Sequence, residues 1–438
     1  MIDVLSRQAI ANPILARQRG EAYMHALASK TLMVTIWLWI FSGSFILFEP
    51  SFYEILLLPA LCMAVASRMR LFSSTAPLLL LLLFFSVFGV IAAFQVRYTP
   101  LTDALIFVVV TIYLIFTAFF AANFIAEAPE QRVSVIRNAY VATAVVSAAI
   151  GIFAYLGVLP NSEMFLRYDR AKAMFKDPNV YGPFLILPAM LVLRDLFLQR
   201  KGQLLNGAIV LLLMIGVFVS FSRAAWGHFA VSGLLVFVLC FWLEAIATEK
   251  VRMMIIALAG ALIVMISFAG LLSVPEIGSL FEQRASATQT YDTGETGRFG
   301  RQGYAFDLAL THPWGLGPTE FPHLRIMEQP HNTYVTVLHA YGWGGGLCYY
   351  LIVLLTLWRG LQGLGNPARR GLLIPVIAVY IPLVVQSAII DTDHWRHYFL
   401  IVGLIWGITA NTAVSVTRDP SRLIPKYPPG RRKQTRNS

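Results

Sequence analysis

Charge is scarce in this sequence. Only 13% of its 438 residues are Asp, Glu, Lys or Arg, where soluble domains carry roughly 25%. So few charges exclude an ordinary water-exposed surface. Cysteine is scarcer still: Cys62, Cys240 and Cys348 are the three. Each lies inside an apolar run, and their spacing suits neither a disulfide framework nor a zinc site. The alternation expected of membrane barrel strands is missing. Internal repeats and long low-complexity stretches are missing too.

What is present is apolar length. The chain is 57% hydrophobic, with a mean hydropathy of +0.67. A hydrocarbon core about 30 Å thick takes roughly 20 apolar residues per helix. Apolar runs fall at residues 31–48, 51–67, 75–94, 101–126, 138–158, 178–198, 204–221, 224–247, 253–274, 332–357, 371–390 and 398–415. The expected fold is all-α, a polytopic membrane protein of about 12 transmembrane helices. Residues 1–30 form an inner N-terminal segment, 31–274 hold spans 1–9, 275–331 form one long outer loop, 332–415 hold spans 10–12, and 416–438 form a basic inner tail. The first thirty residues show no cleavable signal peptide, so the first span is expected to serve as its own insertion signal.

The net charge of +11 raises the question of nucleic acid. The basic residues answer it by punctuating apolar runs instead of forming one face, which is the pattern of the positive-inside rule. With the N-terminus inside, most of them fall on the inner side, and the tail "RRKQTRNS" reads as a topology anchor in contact with anionic bilayer lipid. The basic residues left outside are clustered. Arg167, Arg170, Lys172 and Lys176 share one loop, Arg223 sits in a turn, and Arg284, Arg298, Arg301 and Arg325 lie in the long loop; only Arg97 and Arg396 stand apart. Positive charge kept outside against the bias needs a reason, and an anionic ligand is one.

Within the long loop, "GETGRFGRQGYAFDLAL" places Phe299, Gly303, Phe306 and Leu310 on one face of a helix. The following "THPWGLGPTEFPH" reads as turns, with Trp314 and Phe321 suited to a membrane interface. The expectation is a short amphipathic helix lying over the bundle mouth.

Four stretches hold candidate chemistry. In "RYDRAKAMFKDPNVYGPFLILP" the four basic residues either pair with Asp169 and Asp177 or form an electropositive rim for a phosphorylated lipid. In "FVSFSRAAWGHFAV" Arg223 lies between two apolar runs. A charge at the centre of a spanning helix costs about 2.5–3.5 kcal/mol on some scales; at a turn it can face headgroups or turn inward to phosphate oxygens. His228 reads as packed or interfacial. In "QPHNTYVTVLHAYGWGGG" His331 is either a polar helix start or a proton acceptor; Gly342 and Gly346 read as helix-packing positions and His339 as a satisfied buried histidine. In "DTDHWRHYF" the grouped Asp391, Asp393, His394 and His397 fit a polar interfacial turn, a support for chemistry at His331, or a divalent metal site.

The order of these motifs resembles the O-antigen ligase and O-antigen polymerase superfamily of bacterial inner-membrane proteins. A basic loop ends in Asp-Pro-Asn, followed by Ser-Arg-Ala-Ala-Trp, Thr-Gly-Arg, His-Pro-Trp-Gly-Leu-Gly and His-Asn-x9-Gly-x3-Gly. The likeness runs from about Arg167 to Leu355; the first 160 residues agree in hydropathy alone. The resemblance implies transfer of a glycan from undecaprenyl diphosphate to an acceptor at the periplasmic face, so the long loop would be periplasmic. The acceptor would be lipid A–core for a ligase or a second carrier-linked glycan for a polymerase. It implies no metal and no nucleotide cofactor, while the scatter of basic residues already argued against a nucleic-acid partner. By position it assigns His331 as general base, and Arg223 and Arg298 as the arginines at the diphosphate. Arg167, Arg170, Lys172, Lys176, Arg301 and Asn332 fall to substrate binding, Arg167 filling the loop-arginine place as well as Arg170 does. The motif is closer to the ligase pattern. A secondary transporter is the competing class, but charges within the runs (Glu54, Asp103, Arg194, Asp195 and Glu244) lie near their ends, whereas transporters place them near the midplane, often in repeated halves.

Overall fold

The computed structural model of the protein describes residues 13–48, 50–273, 297–325 and 327–410, with Gly278, Phe281 and Gly294 besides. Arg284 and the basic tail lie outside the described residues. Among those described, the chain is helical throughout apart from one small hairpin. The helices are α1 Pro13–Phe41, α2 Phe52–Ala66, α3 Ala76–Ala93, α4 Leu101–Glu127, α5 Pro129–Tyr155, α6 Pro178–Phe184, α7 Ile186–Leu198, α8 Gln203–Val219, α9 Arg223–Leu243, α10 Ala247–Leu272, α11 Arg298–Thr311, α12 Thr333–Gly363, α13 Pro367–Gln386 and α14 Arg396–Ile408. The hairpin pairs Leu166–Arg167 with Arg170–Ala171, with Tyr168 and Asp169 both at positive φ in its two-residue turn.

Each of the twelve apolar runs lies on helix where it is described. Among the described residues, eight candidate spans are long and apolar enough to cross a membrane. These are α1, α3, α4, α5, the joined α6–α7 pair, α9, α12 and α13. Helices α2, α8 and α14 are apolar but shorter, at 15, 17 and 13 residues. Among the described residues, length and composition alone carry eight of the twelve spans read from hydropathy.

The core sits where α14 packs along α4. Gly403 and Gly407 permit this approach, since a Cβ at either would lie 2.8 or 2.7 Å from the carbonyl oxygens of Ala118 and Ala122. Trp406, 1% exposed, donates its indole N–H to Thr356 at 2.8 Å. Four of the five charges noted in the runs, all but Asp103, are in ion pairs. Arg194 grips Glu244 through two hydrogen bonds of 2.9 and 2.8 Å, Arg137 pairs with Asp195, and Arg396 holds Glu54 at 2.6 Å. Such pairing offsets the desolvation that a lone charge near lipid would suffer.

Helix α12 is broken at Gly342, where φ is +73°. The loop at residues 312–317 is docked into the break. Leu316 N–H donates to the His339 carbonyl at 2.8 Å, Gly317 N–H to Ala340 at 3.1 Å, and Trp343 N–H to Pro313 at 2.9 Å. A broken helix leaves carbonyls without partners, which is costly away from water; the loop supplies the missing donors. This alters the reading of Gly342, which is a break that receives a loop and not a helix-packing position. A Cβ there would meet the Pro313 carbonyl oxygen at 2.4 Å. Gly346 does serve close packing, against Leu338 one turn-pair earlier.

The same loop is latched a second time. Glu320, 2% exposed, accepts the backbone N–H groups of Arg97, Tyr98 and Thr99, each at 2.9 Å. Burial pushes its carboxyl up, but the three donors outweigh that and hold it below the usual glutamate range.

Candidate functional site

Four helix ends meet at one end of the bundle. His228, in the second turn of α9, hydrogen-bonds through Nδ1 to Gln386 (2.7 Å) and through Nε2 to the Val379 carbonyl (3.0 Å), both on α13. The start of α9, with Arg223, therefore lies beside the end of α13. Thr333 N–H donates to the Ser387 carbonyl at 2.8 Å, which brings the start of α12, with His331, to the same place. Helix α11 joins through Gln302. Its Nε2 donates to the His331 carbonyl at 3.4 Å and its Oε1 accepts from Asn332 Nδ2 at 3.3 Å. Arg298 opens α11 and is one helical turn from Gln302, so it shares that face.

His331 is half-buried, its side chain 41% exposed. Its φ is +54°, an uncommon conformation for a residue with a Cβ, of the kind that collects at functional sites. The strain is held in place on both sides. Pro330 precedes it, and Asn332 caps α12 by accepting from Tyr334 N–H (3.1 Å) and Val335 N–H (3.3 Å). The imidazole Nδ1 lies 3.4 Å from Asp391 Oδ2. Asp391 is itself oriented by Thr336, whose hydroxyl donates to its other oxygen at 2.9 Å. Of the readings open for the Asp391–His397 turn, support at His331 is the one this contact favours. Among the described residues no three His, Cys, Asp or Glu side chains group as metal ligands do.

The basic loop is divided in its placement. Arg170 is buried, 7% exposed, and donates to the Ser220 carbonyl and to Asn179 Oδ1, both at 2.8 Å. It ties the hairpin to the turn that presents Arg223. Arg167 is exposed and pairs with Asp177 at 3.2 Å, the pairing that an ordinary loop predicts. Lys172 donates to the Met164 carbonyl at 2.7 Å; burial, then the nearby Arg167, draws its ammonium below the usual lysine range. Lys176 is exposed. Arg301 is 3% exposed and ion-paired with Glu328. Arg223 and Arg298 are both half-buried.

Two expectations change, and one face is assigned. Phe321 is not interfacial: it is 1% exposed, between Tyr304 and His339 at ring distances of 5.7 and 5.1 Å. His339 is buried, yet neither ring nitrogen has a partner among the described residues, so it is not a satisfied histidine. The face of α11 with Phe299, Phe306 and Leu310 is exposed, 46–60%, while Arg301, Ala305 and Ala309 turn inward against α12. Gln302, Thr336 and Glu320 went unnoticed in the sequence. The spacing of Arg298 and Gln302 at i, i+4 was the available signal for the first; nothing local marks the other two.

No curated protein matched the chain. Residues 208–350 match the family model described as O-antigen ligase. This stretch, about a third of the chain, contains Arg223, Arg298 and His331, and over it the chain is similar to the O-antigen ligase family.

Proposed function

We propose that the protein is an O-antigen ligase-type glycosyltransferase of the bacterial inner membrane, spanning it about twelve times, and that the His331 end faces the periplasm. The donor in this reading is a glycan on undecaprenyl diphosphate, and the acceptor is lipid A–core. The observation that carries it is His331, held in a strained left-handed conformation with Nδ1 toward Asp391, inside the segment matched by the O-antigen ligase family.

The chemistry follows from the residue types. With Nδ1 turned to a carboxylate, the imidazole hydrogen sits on that nitrogen and Nε2 keeps its lone pair. Nε2 takes the proton of the acceptor hydroxyl as its oxygen attacks the anomeric carbon. The bond from that carbon to the diphosphate breaks, and the diphosphate leaves with the electron pair. Arg223 and Arg298 stabilise the charge that develops there, a preorganised electrostatic effect, with planar donors suited to phosphate oxygens. One displacement inverts the anomeric centre, which comparison of donor and product linkages tests directly.

A repeat-unit polymerase of the same superfamily is the second reading, because the donor end of the chemistry is shared. The lipopolysaccharide ladder of a deletion strain separates them. Loss of all attached chains with carrier-linked polymer accumulating means ligase; core bearing one repeat means polymerase. Unchanged ladders and carrier-linked pools would overturn both.

A further inference from the structure

A cavity of about 210 Å³ lies at the His331 end, on the other side of the Asp391–Arg396 turn. Its walls come from the turn after α1, from Phe175 and Lys176 between the hairpin and α6, from Val180 on α6, and from Trp395 and His397 at the head of α14. We propose that this cavity binds one neutral pyranose ring of the glycan substrate, an inference that rests on the glycan-transfer reading above.

Three observations converge on that ligand. First, His397 lines the cavity while only 4% exposed, and its Nε2 has no hydrogen-bond partner among the described residues. A buried ring nitrogen without a partner is costly, and a hydroxyl entering the cavity supplies one. Second, the walls are largely aromatic and aliphatic with a few polar groups, the composition that orients a ring with an apolar face and polar edges. Third, the guanidinium in its wall is countered. Arg396 holds Glu54 at 2.6 Å, and His394 Nδ1 lies 3.0 Å from Asp393, so neither group is left open for a phosphate. The turn that forms one wall begins with Asp391, the residue facing His331. A ring held here is anchored to the segment that positions the base.

The test reads binding without reading transfer. Val180→Cys is made in a Cys62→Ser background, and the full-length protein in detergent is labelled with a maleimide. Methyl glycosides of glucose, galactose, N-acetylglucosamine and rhamnose are the probes, with inorganic phosphate as the control. The expected result is a several-fold slowing of labelling by at least one glycoside and none by phosphate. His397→Phe, which fills the cavity, abolishes the protection, and His397→Gln, which keeps a hydrogen-bonding group, retains part of it. Lys176→Cys at the rim is a second reporter should Val180→Cys fold poorly. His331→Ala keeps full protection, so loss of transfer and loss of ring binding are told apart. Labelling at both reporters unaffected by every glycoside, protection by phosphate alone, or protection that survives His397→Phe would each overturn the proposal.

Discussion

His331 Nδ1 stands 3.4 Å from Asp391 Oδ2, although the two residues are sixty positions apart and on either side of two helices. The contact is made because Thr333 and Thr392 lock the start of α12 to the α13–α14 turn. Thr392 N–H donates to Thr333 Oγ1 at 2.7 Å, and Thr333 Oγ1 donates to the Ile390 carbonyl at 3.0 Å. The imidazole is thus aimed by a carboxylate outside the 208–350 stretch that matches the O-antigen ligase family.

His331→Ala removes the proposed base and lowers transfer about 10²–10⁴-fold, the usual size of a positioned acid–base contribution. Asp391→Asn leaves the base present but poorly aimed and lowers kcat about 10²-fold, as expected for a group displaced by an ångström, with KM for donor unchanged. Asp391→Glu recovers part of the loss. Transfer assayed in vesicles with purified carrier-linked glycan checks all three, and full activity of His331→Ala would remove the histidine from the mechanism.

Arg223→Lys and Arg298→Lys preserve charge but lose the planar fork. Each is expected to lower kcat, approaching the roughly 10²–10³-fold cost of deleting a transition-state donor. The double substitution is less than multiplicative if both act on one diphosphate. Binding of the carrier-linked donor, measured separately, distinguishes this from a role in topology alone: a topology residue alters insertion and leaves kcat per folded molecule intact.

Gly342→Ala is expected to destabilise the fold. The left-handed backbone contributes strain of about 1–3 kcal/mol for a residue with a Cβ. Overpacking against the Pro313 carbonyl, 2.4 Å from the new Cβ, adds about 1–3 kcal/mol. Gly315→Ala meets the Ala340 carbonyl oxygen at 2.5 Å and acts in the same direction. A lowered Tm in detergent for both, beside an unchanged Tm for the exposed Gly303→Ala, is the expected pattern.

The helices were legible in the sequence because apolar length is a local property, and His331, Arg223 and Arg298 stood out there as separate candidates by residue type alone. What joins them was not legible. Gly342 read as a packing residue because a glycine between apolar neighbours fits close helix contact, and only a loop twenty-five residues earlier reveals the break. Phe321 read as interfacial because it lies in a polar loop, yet that loop runs inward. The exposed apolar face of α11 was visible as a period, but which face the bundle buries depends on α12. The contact between His331 and Asp391 needed the whole path of α12 and α13.

Glu320 gives a pH dependence whose sign follows from its contacts. Its carboxyl is held below the usual glutamate range in the folded protein, so the folded state favours the charged form. The stability this contributes is fully present above the ordinary glutamate value of about 4.3. It is lost as pH falls through the lowered folded value, where the carboxylate is protonated and its acceptance of the Arg97, Tyr98 and Thr99 N–H groups weakens. Glu320→Gln removes the charge at every pH and keeps one carbonyl acceptor for three donors. The variant is expected to melt below the wild type at pH 7, with the difference narrowing as the pH is lowered through the acid range. Thermal melts across pH 3–7 check this, and a difference that stays constant over that range would show that the Glu320 charge contributes nothing to the latch.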